Sequence, residues 1–257
     1  VLVTGSLGFI GGHTVERLIS NGHKVISIDN HSRLGTELNL KFLRGLGGDF
    51  RHFKLDVEDA VGLDAIIAEE QPTHVVHLAA QVAVTTSVVD PGLDLRSNLL
   101  GTFNILESMR RHVGESHLVF ASTNKVYGAM ERKIFLEDGT RYFPEDDNNS
   151  FSESTPLDFS TPYGCSKGAA DQYVLDWAKN FGLSSTVFRQ SCIYGERQLG
   201  VEDQGWLAWF AIAHLLGRNI SVYGSGKQVR DLLYVTDLVD AYILALEQPK
   251  HLQGAFN

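Results

Sequence analysis

Tyr163 and Lys167 stand four residues apart in the segment TPYGCSKGAADQYV (161–174). On a helix that spacing puts both side chains on one face. A phenol with an ordinary pKa of about 10 is a poor base at neutral pH, but an ammonium beside it favours the phenolate and makes it able to accept a proton from an alcohol. Thr123 closes the apolar run 117–123, and its hydroxyl is placed to hydrogen-bond the reacting oxygen. A Tyr-x-x-x-Lys pair arises by chance in many chains. Its meaning here depends on the elements that position it.

Taking a proton from an alcohol oxidises the carbon only where a hydride acceptor lies alongside. The N-terminus carries a sequence suited to one: a first strand runs into Gly5-Ser6-Leu7-Gly8-Phe9-Ile10-Gly11, and a helical stretch begins near Gly12. Glycine serves where the turn is tight, where the backbone must approach a pyrophosphate and where helix packs on strand, while the helix N-terminus supplies N–H donors. About twenty residues on, the second strand ends in Asp29, whose carboxylate can accept hydrogen bonds from ribose hydroxyls and would repel a 2′-phosphate. This pattern predicts a dinucleotide, NAD rather than NADP, with Gly5, Gly8, Phe9, Ile10, Gly11 and Asp29 around it. Asn30, Ser32 and Arg33 follow as further contacts, although Arg33 could instead receive a 2′-phosphate. Asp56 and Val57 end the third strand where adenine is expected; Asp56 also reads as a helix N-cap or turn residue. Leu78, Ala79, Ala80 and Gln81 after His77 offer little bulk, which would let pyrophosphate and ribose lie against the backbone or would serve close packing alone. The positive nicotinamide ring would add to Lys167 in favouring the Tyr163 phenolate.

These residues sit at the ends of elements in regular alternation. Residues 1–4, 24–29, 51–56, 74–80, 117–123 and 185–191 read as strands, and about 11–21, 59–70, 93–112 and 162–181 as helices. Near-continuous apolar strands separated by helices predict the doubly wound α/β class, a parallel sheet covered on both faces. Residues 1–191, continued by about 227–247, form the expected dinucleotide-binding domain; 192–226 and 248–257 form parts of a small substrate-binding cap. Two segments break the rhythm. Residues 129–160 are polar, with an acidic stretch at 145–149, as in a lid, a binding loop or a disordered connection. Residues 195–226 include a Trp-rich helical stretch, in which Trp206 and Trp209 read as core, with base-stacking groups as the alternative. Residues 254–257 read as the start of another strand, and both ends of the chain read as trimmed.

With 43% hydrophobic and 21% charged residues the composition is that of a soluble globular protein, and a net charge of −9 argues against general affinity for nucleic acid. No apolar run approaches the roughly 18 to 20 residues that span a bilayer, and no signal peptide opens the chain, so a cytoplasmic protein without membrane contact is expected. Cys165 and Cys192 are the two cysteines, expected to be buried free thiols. His74 and His77, three apart on a strand, are expected to point to opposite faces, and no metal site is predicted.

Taken together, these motifs resemble the extended short-chain dehydrogenase/reductase family of sugar-nucleotide epimerases and dehydratases, from the glycine loop through GKQVRDLLYVTDLVDAY (226–242). The resemblance selects Thr123 in STNKVYG (122–128) as the third catalytic residue beside Tyr163 and Lys167, which also touch the cofactor. It further implies Asn98 as a cofactor contact, and Thr85, Thr123, Lys125, Cys192, Arg197 and Arg230 toward the substrate. Arg230 matches the family's diphosphate-binding arginine, Arg197 lies near the start of the cap, and Cys192 stands where many relatives place a substrate-binding Asn. FRQSCIYG (188–195) and VEDQGWLAWF (201–210) are similar to epimerases that act at C2 of a CDP-linked 3,6-dideoxyhexose. Such an enzyme oxidises the sugar to a ketone, lets the ring present its other face and returns the hydride, with no net redox change. The 4,6-dehydratases carry an Asp-Glu pair directly after the Thr; here Asn124 and Lys125 occupy those positions, and elimination lacks its proton donor. A rival is epimerisation at C4 of a UDP-hexose; a reading of another class is a non-catalytic NAD-binding regulator. The resemblance also implies a homo-oligomer formed through 93–112 and 162–181, and about 60 to 80 further cap residues after Asn257.

Overall fold

The structure, a computed structural model, describes residues 1–130, 133–145, 151–202 and 204–257; the acidic positions 146–149 lie outside the described residues. In chain order the first half runs β1 (Leu2–Thr4), α1 (Phe9–Ser20), β2 (Val25–Asp29), α2 (Thr36–Gly45), β3 (Phe50–Lys54), α3 (Ala60–Glu70), β4 (His74–His77), α4 (Val84–Val89), α5 (Pro91–Asp94), a π-helical segment (Leu95–Leu100), α6 (Gly101–His112) and β5 (His117–Ala121). A 3-10 turn (Asn124–Tyr127) follows, then β6 (Phe135–Glu137), β7 (Tyr142–Pro144), α7 (Thr161–Phe181), β8 (Ser184–Phe188), β9 (Cys192–Tyr194), α8 (Trp206–Leu215), β10 (Leu232–Tyr234), α9 (Val235–Glu247) and β11 (Gly254–Phe256).

Seven strands form one parallel sheet in the order β11-β8-β5-β4-β1-β2-β3. Successive strand residues point to opposite faces, and both faces are covered. Leu2, Val75 and Leu118 pack with Leu63, Ile67, Ile105, Leu106 and Val174 of α3, α6 and α7. Their neighbours Val3, Val76 and Val119 pack with Val15, Leu18, Leu43, Leu238 and Tyr242 of α1, α2 and α9. The chain order reverses between β1 and β4. That leaves a crevice at the carboxyl ends of the strands, where doubly wound sheets bind ligands.

Four strands stop two or three residues short of their sequence-based ends, at Lys54, His77, Ala121 and Phe188. The apolar pattern continues past the ladder, but the backbone there leaves the sheet to line the crevice. The helix expected at 93–112 is interrupted by the π-helical segment carrying Asn98. Residues 248–257 do not all join the cap: β11 pairs with β8 as the sheet's outer strand. Within 129–160 the short strands β6 and β7 form an antiparallel hairpin, and β9 pairs with β10 in a separate two-stranded sheet. Trp206 and Trp209 are half-buried rather than core, since Ala213 is the buried residue of α8. Cys165 is exposed and Cys192 half-buried, correcting the expectation of buried thiols. Cys165, two residues from Tyr163, falls on the outer face of α7 because that helix turns Tyr163 and Lys167 inward. Among the described residues no helix is long and apolar enough to cross a membrane.

Two buried histidines bind the sheet to its surroundings. His77 lies between the hydroxyls of Thr4 (Nδ1, 2.6 Å) and Thr102 (Nε2, 3.0 Å), and burial holds it down to about 3 from 6.5. His117, bonded to Ser184 and Thr186, is lowered by burial to about 4. An unfolded chain protonates such a ring near its ordinary pKa while the folded one stays neutral, so stability falls as pH drops through this window. Unfolding free energy from urea titration is expected to be about 2 kcal/mol lower at pH 5 than at pH 7 from His77 alone, with His117 acting in the same direction. A flat profile between those pH values would contradict a neutral, buried His77.

Candidate active site

The turn from β1 into α1 is built by glycine. Gly5 has φ +62, and a Cβ there would come within 2.8 Å of the Ala79 amide nitrogen. A Cβ on Gly11 would lie 2.1 Å from the Gly5 carbonyl oxygen. α1 opens after Gly8 with no side-chain cap and no acid in its first turn, leaving the N–H groups of Phe9, Ile10 and Gly11 for an anion. The Asn39 amide holds the Leu7 carbonyl at 2.8 Å from α2.

Asp29 is buried at the end of β2. One carboxylate oxygen accepts from Leu7 N at 3.0 Å and the other from His31 N at 2.9 Å, so each keeps a lone pair for a ribose hydroxyl. Asn30 donates to Asp56 at 2.7 Å and caps the Ser32 amide, tying the ends of β2 and β3. Asp56 also accepts from Glu58 N at 3.0 Å, the turn role foreseen as its alternative. Val57 is buried against Gly101 of α6, where a Cβ would meet its Cγ2 at 2.6 Å. Arg33 reaches across to Gln204 in the cap segment. Leu78 and Ala79 donate their amides to Thr4 Oγ1, both at 3.2 Å, which presses this loop onto the glycine turn. Ala80 is half-buried beside it.

Gln81 and Asn98 form one buried network. Asn98 Oδ1 accepts from Gln81 N (2.8 Å), and its amide donates to Gln81 O (3.0 Å), Asp94 (3.2 Å) and Ser166 Oγ (2.9 Å). The Gln81 amide in turn faces both Asp94 oxygens at 3.3 Å. Burial pushes the Asp94 carboxyl up. The Thr102 hydroxyl donates to Asn98 O at 2.6 Å and links this network to His77.

Thr123, Tyr163 and Lys167 come together at the carboxyl end of β5, all buried. The proline after Thr161 suits the first turn of α7, where its missing N–H costs nothing. Burial raises the Tyr163 phenol above its ordinary range; the hydrogen bond with Thr123 works against this, and Asp94 adds to it. Thr123 Oγ1 also accepts from Lys125 N at 3.2 Å. Lys167 is pushed down to about 7 by burial, with Asp171 opposing, and its ammonium lies 4.3 Å from the centre of the Phe120 ring. The site therefore joins a phenol, a lysine close to its titration point and a hydroxyl donor, at the mouth of a glycine-lined crevice.

The substrate-side residues divide. Thr85 on α4, Lys125 and Arg230 are exposed, and Arg230 Nη1 donates to the Val229 carbonyl at 3.0 Å. Cys192 begins β9. The Arg197 guanidinium pairs with Glu16, bonds His13 at 2.9 Å and lies over the Phe42 ring at 4.5 Å. Glu16 on α1 thereby ties the segment after β9 to the first helix. Sequence reading passed over four polar groups of the site: His77, Asp94, Ser166 and Asp171. Ser166 and Asp171 had a signal, since both follow Tyr163 at helical offsets on α7. His77 was weighed only as a metal ligand.

The family model described as the NAD dependent epimerase/dehydratase family matches residues 1–257. The chain belongs to this family. Its cofactor is NAD, and the glycine turn, the uncapped start of α1 and the free lone pairs of Asp29 fit that group. The chain is 42% identical over 263 residues to the CDP-paratose 2-epimerase of Salmonella typhi, with 100% of this chain and 78% of the relative covered. It is 33% identical to a putative UDP-glucose 4-epimerase of Methanocaldococcus jannaschii, covering 96% of this chain and 73% of that one. Among solved structures, the Thermus thermophilus UDP-glucose 4-epimerase complex with NAD superposes with a TM-score of 0.82 at 35% identity, covering 100% of this chain and 76% of the other. Membership of the family brings the doubly wound fold and the cofactor together in one chain.

Proposed function

We propose that the protein is an NAD-dependent sugar-nucleotide epimerase that inverts C2 of a CDP-linked 3,6-dideoxyhexose, converting CDP-paratose to CDP-tyvelose. The observation that carries this reading is the similarity, over the whole of this chain, to a CDP-paratose 2-epimerase together with Asn124 and Lys125 after Thr123. Asn124 donates to Ser191 Oγ at 3.2 Å and Lys125 is exposed, so no carboxyl group follows Thr123 to expel water. Asp94, the carboxyl acting on Tyr163, is engaged by Gln81 and Asn98.

When bound, NAD supplies the acceptor and donor of hydride. Tyr163 takes the C2 hydroxyl proton and, once the sugar has turned its other face inward, returns a proton to the C2 oxygen. Lys167 favours the phenolate by its charge, and Thr123 hydrogen-bonds the reacting oxygen. Arg230 holds the diphosphate, for which a guanidinium supplies charge-assisted paired donors. The similarity to a UDP-glucose 4-epimerase favours C4 inversion of a UDP-hexose as the second reading. A homo-oligomer is supported by Phe103, Tyr173 and Phe181, exposed aromatics grouped with Trp177 on α6 and α7.

The test supplies CDP-paratose and, separately, UDP-galactose to the full-length protein loaded with NAD, and identifies the products by NMR. CDP-tyvelose in the first reaction is expected. Inversion of UDP-galactose with CDP-paratose untouched would overturn the C2 assignment, and no turnover of either would favour the non-catalytic regulator.

A further inference from the structure

Behind the triad lies an ion pair that the reaction as described does not use. Asp171 follows Lys167 by one turn on the face of α7 that carries Tyr163, and it is fully buried. Arg189, just past the end of β8, grips it with Nε to Oδ2 and Nη2 to Oδ1, both at 3.0 Å. Ser122, the residue before Thr123, donates its hydroxyl to the same carboxylate at 2.7 Å. The remaining Arg189 nitrogen donates to the Tyr127 hydroxyl at 3.1 Å. One carboxylate thus binds α7 to the ends of both β5 and β8. A buried pair of this kind adds little net stability over packed apolar side chains, so folding alone is a weak reason for it.

Its position relative to the dyad is asymmetric. The Lys167 ammonium lies 4.3 Å from the centre of the Phe120 ring on β5 and within electrostatic reach of His77 on β4 and of Asp171, which follows it by four residues on α7 as Tyr163 precedes it by four; Asp94 on α5 acts on Tyr163. His77 is neutral at working pH. Asp171 is therefore the anion next to Lys167, one helical turn away, whereas it is two turns from Tyr163.

We infer that Asp171 is a positioning residue of the reaction: its charge, held by Arg189, Ser122 and Gln172, favours the ammonium form of Lys167 one turn from Tyr163 and fastens the Thr123 strand end to the same helix. The inference rests on the Tyr163–Lys167 pairing proposed above and not on the identity of the sugar nucleotide. Once the dyad has lost one proton it is either phenolate with ammonium or phenol with amine. An anion nearer to the lysine favours the first form. Without it the phenol and amine take over, and the phenolate forms only when the second proton leaves.

The test follows the ultraviolet absorbance of the Tyr163 phenolate against pH in the full-length, NAD-loaded protein, with Tyr163→Phe as the blank. Asp171→Asn with Arg189→Gln removes both buried charges together and keeps hydrogen-bonding groups in place; Asp171→Glu keeps the anion. The wild type and Asp171→Glu should show a phenolate component at neutral to mildly alkaline pH. In the double variant that component should fall about tenfold, the equivalent of one pKa unit, and the phenolate should appear at higher pH. A double variant whose titration superposes on the wild type overturns the inference. So does one that no longer retains NAD while Asp171→Glu behaves normally, because the pair would then serve folding alone. A wild-type protein with no Tyr163 phenolate in that range would sink the Tyr163–Lys167 pairing itself, and the inference with it.

Discussion

Replacing Tyr163 by Phe is expected to lower turnover of the nucleotide sugar by about 10²–10⁴-fold while NAD remains bound. The substitution removes one oxygen. The ring stays in its buried seat on α7, and Thr123 keeps its contact with Lys125 N at 3.2 Å, so the surroundings have little cause to rearrange. What disappears is the oxygen proposed to take the sugar proton and give it back. Measuring kcat beside the amount of NAD released on denaturation separates loss of chemistry from loss of cofactor. Turnover close to that of the wild type, with NAD bound, would refute Tyr163 as the base.

Gly11→Ala should abolish NAD retention and cost about 3 kcal/mol of stability or more. A Cβ there would stand 2.1 Å from the Gly5 oxygen and 2.8 Å from Ser6 Cα, both backbone atoms that have no rotamer by which to withdraw. Relief requires α1 to move away from the β1 turn. Val15 and Leu18 anchor that helix in the core, and the amides of Phe9, Ile10 and Gly11 would leave the pyrophosphate position as it moved. Gly45→Ala is the matched control, since a Cβ at Gly45 meets nothing within 4 Å. It should be neutral or slightly stabilising through reduced freedom of the unfolded chain. Unchanged NAD content in Gly11→Ala would show that the turn does not depend on the missing side chain.

Much of the fold could be read from the chain because its signals are local. The apolar runs around Leu2, Ile26, Val75 and Leu118 are each buried on both faces, and in a single sequence that produces the continuous hydrophobic strands of a covered parallel sheet. The glycine turn and Asp29 were legible for the same reason, since backbone approach and strand-end position restrict residue type within a few positions. β11 was read as a strand but placed with the cap, because three residues of strand carry too little pattern to say which sheet they join. The break in the helix at Asn98 was hidden because a π-helical segment keeps the composition of the helix around it.

The sequence by itself determined the alternation of elements, the glycine turn and the placement of Tyr163 and Lys167 on one face of a helix, all consequences of spacing along one strand or helix. The tertiary structure decided how charge is distributed around them. Thr123 reaches Tyr163, Asp171 meets Arg189, and Arg197 is taken by Glu16, 181 residues away, only because the sheet order brings those elements side by side. Lys167 titrates at about 7 rather than 10.5 because packing removes the water that would stabilise its charge. Burial and long-range partners are properties of the packed chain, and no window of sequence contains them.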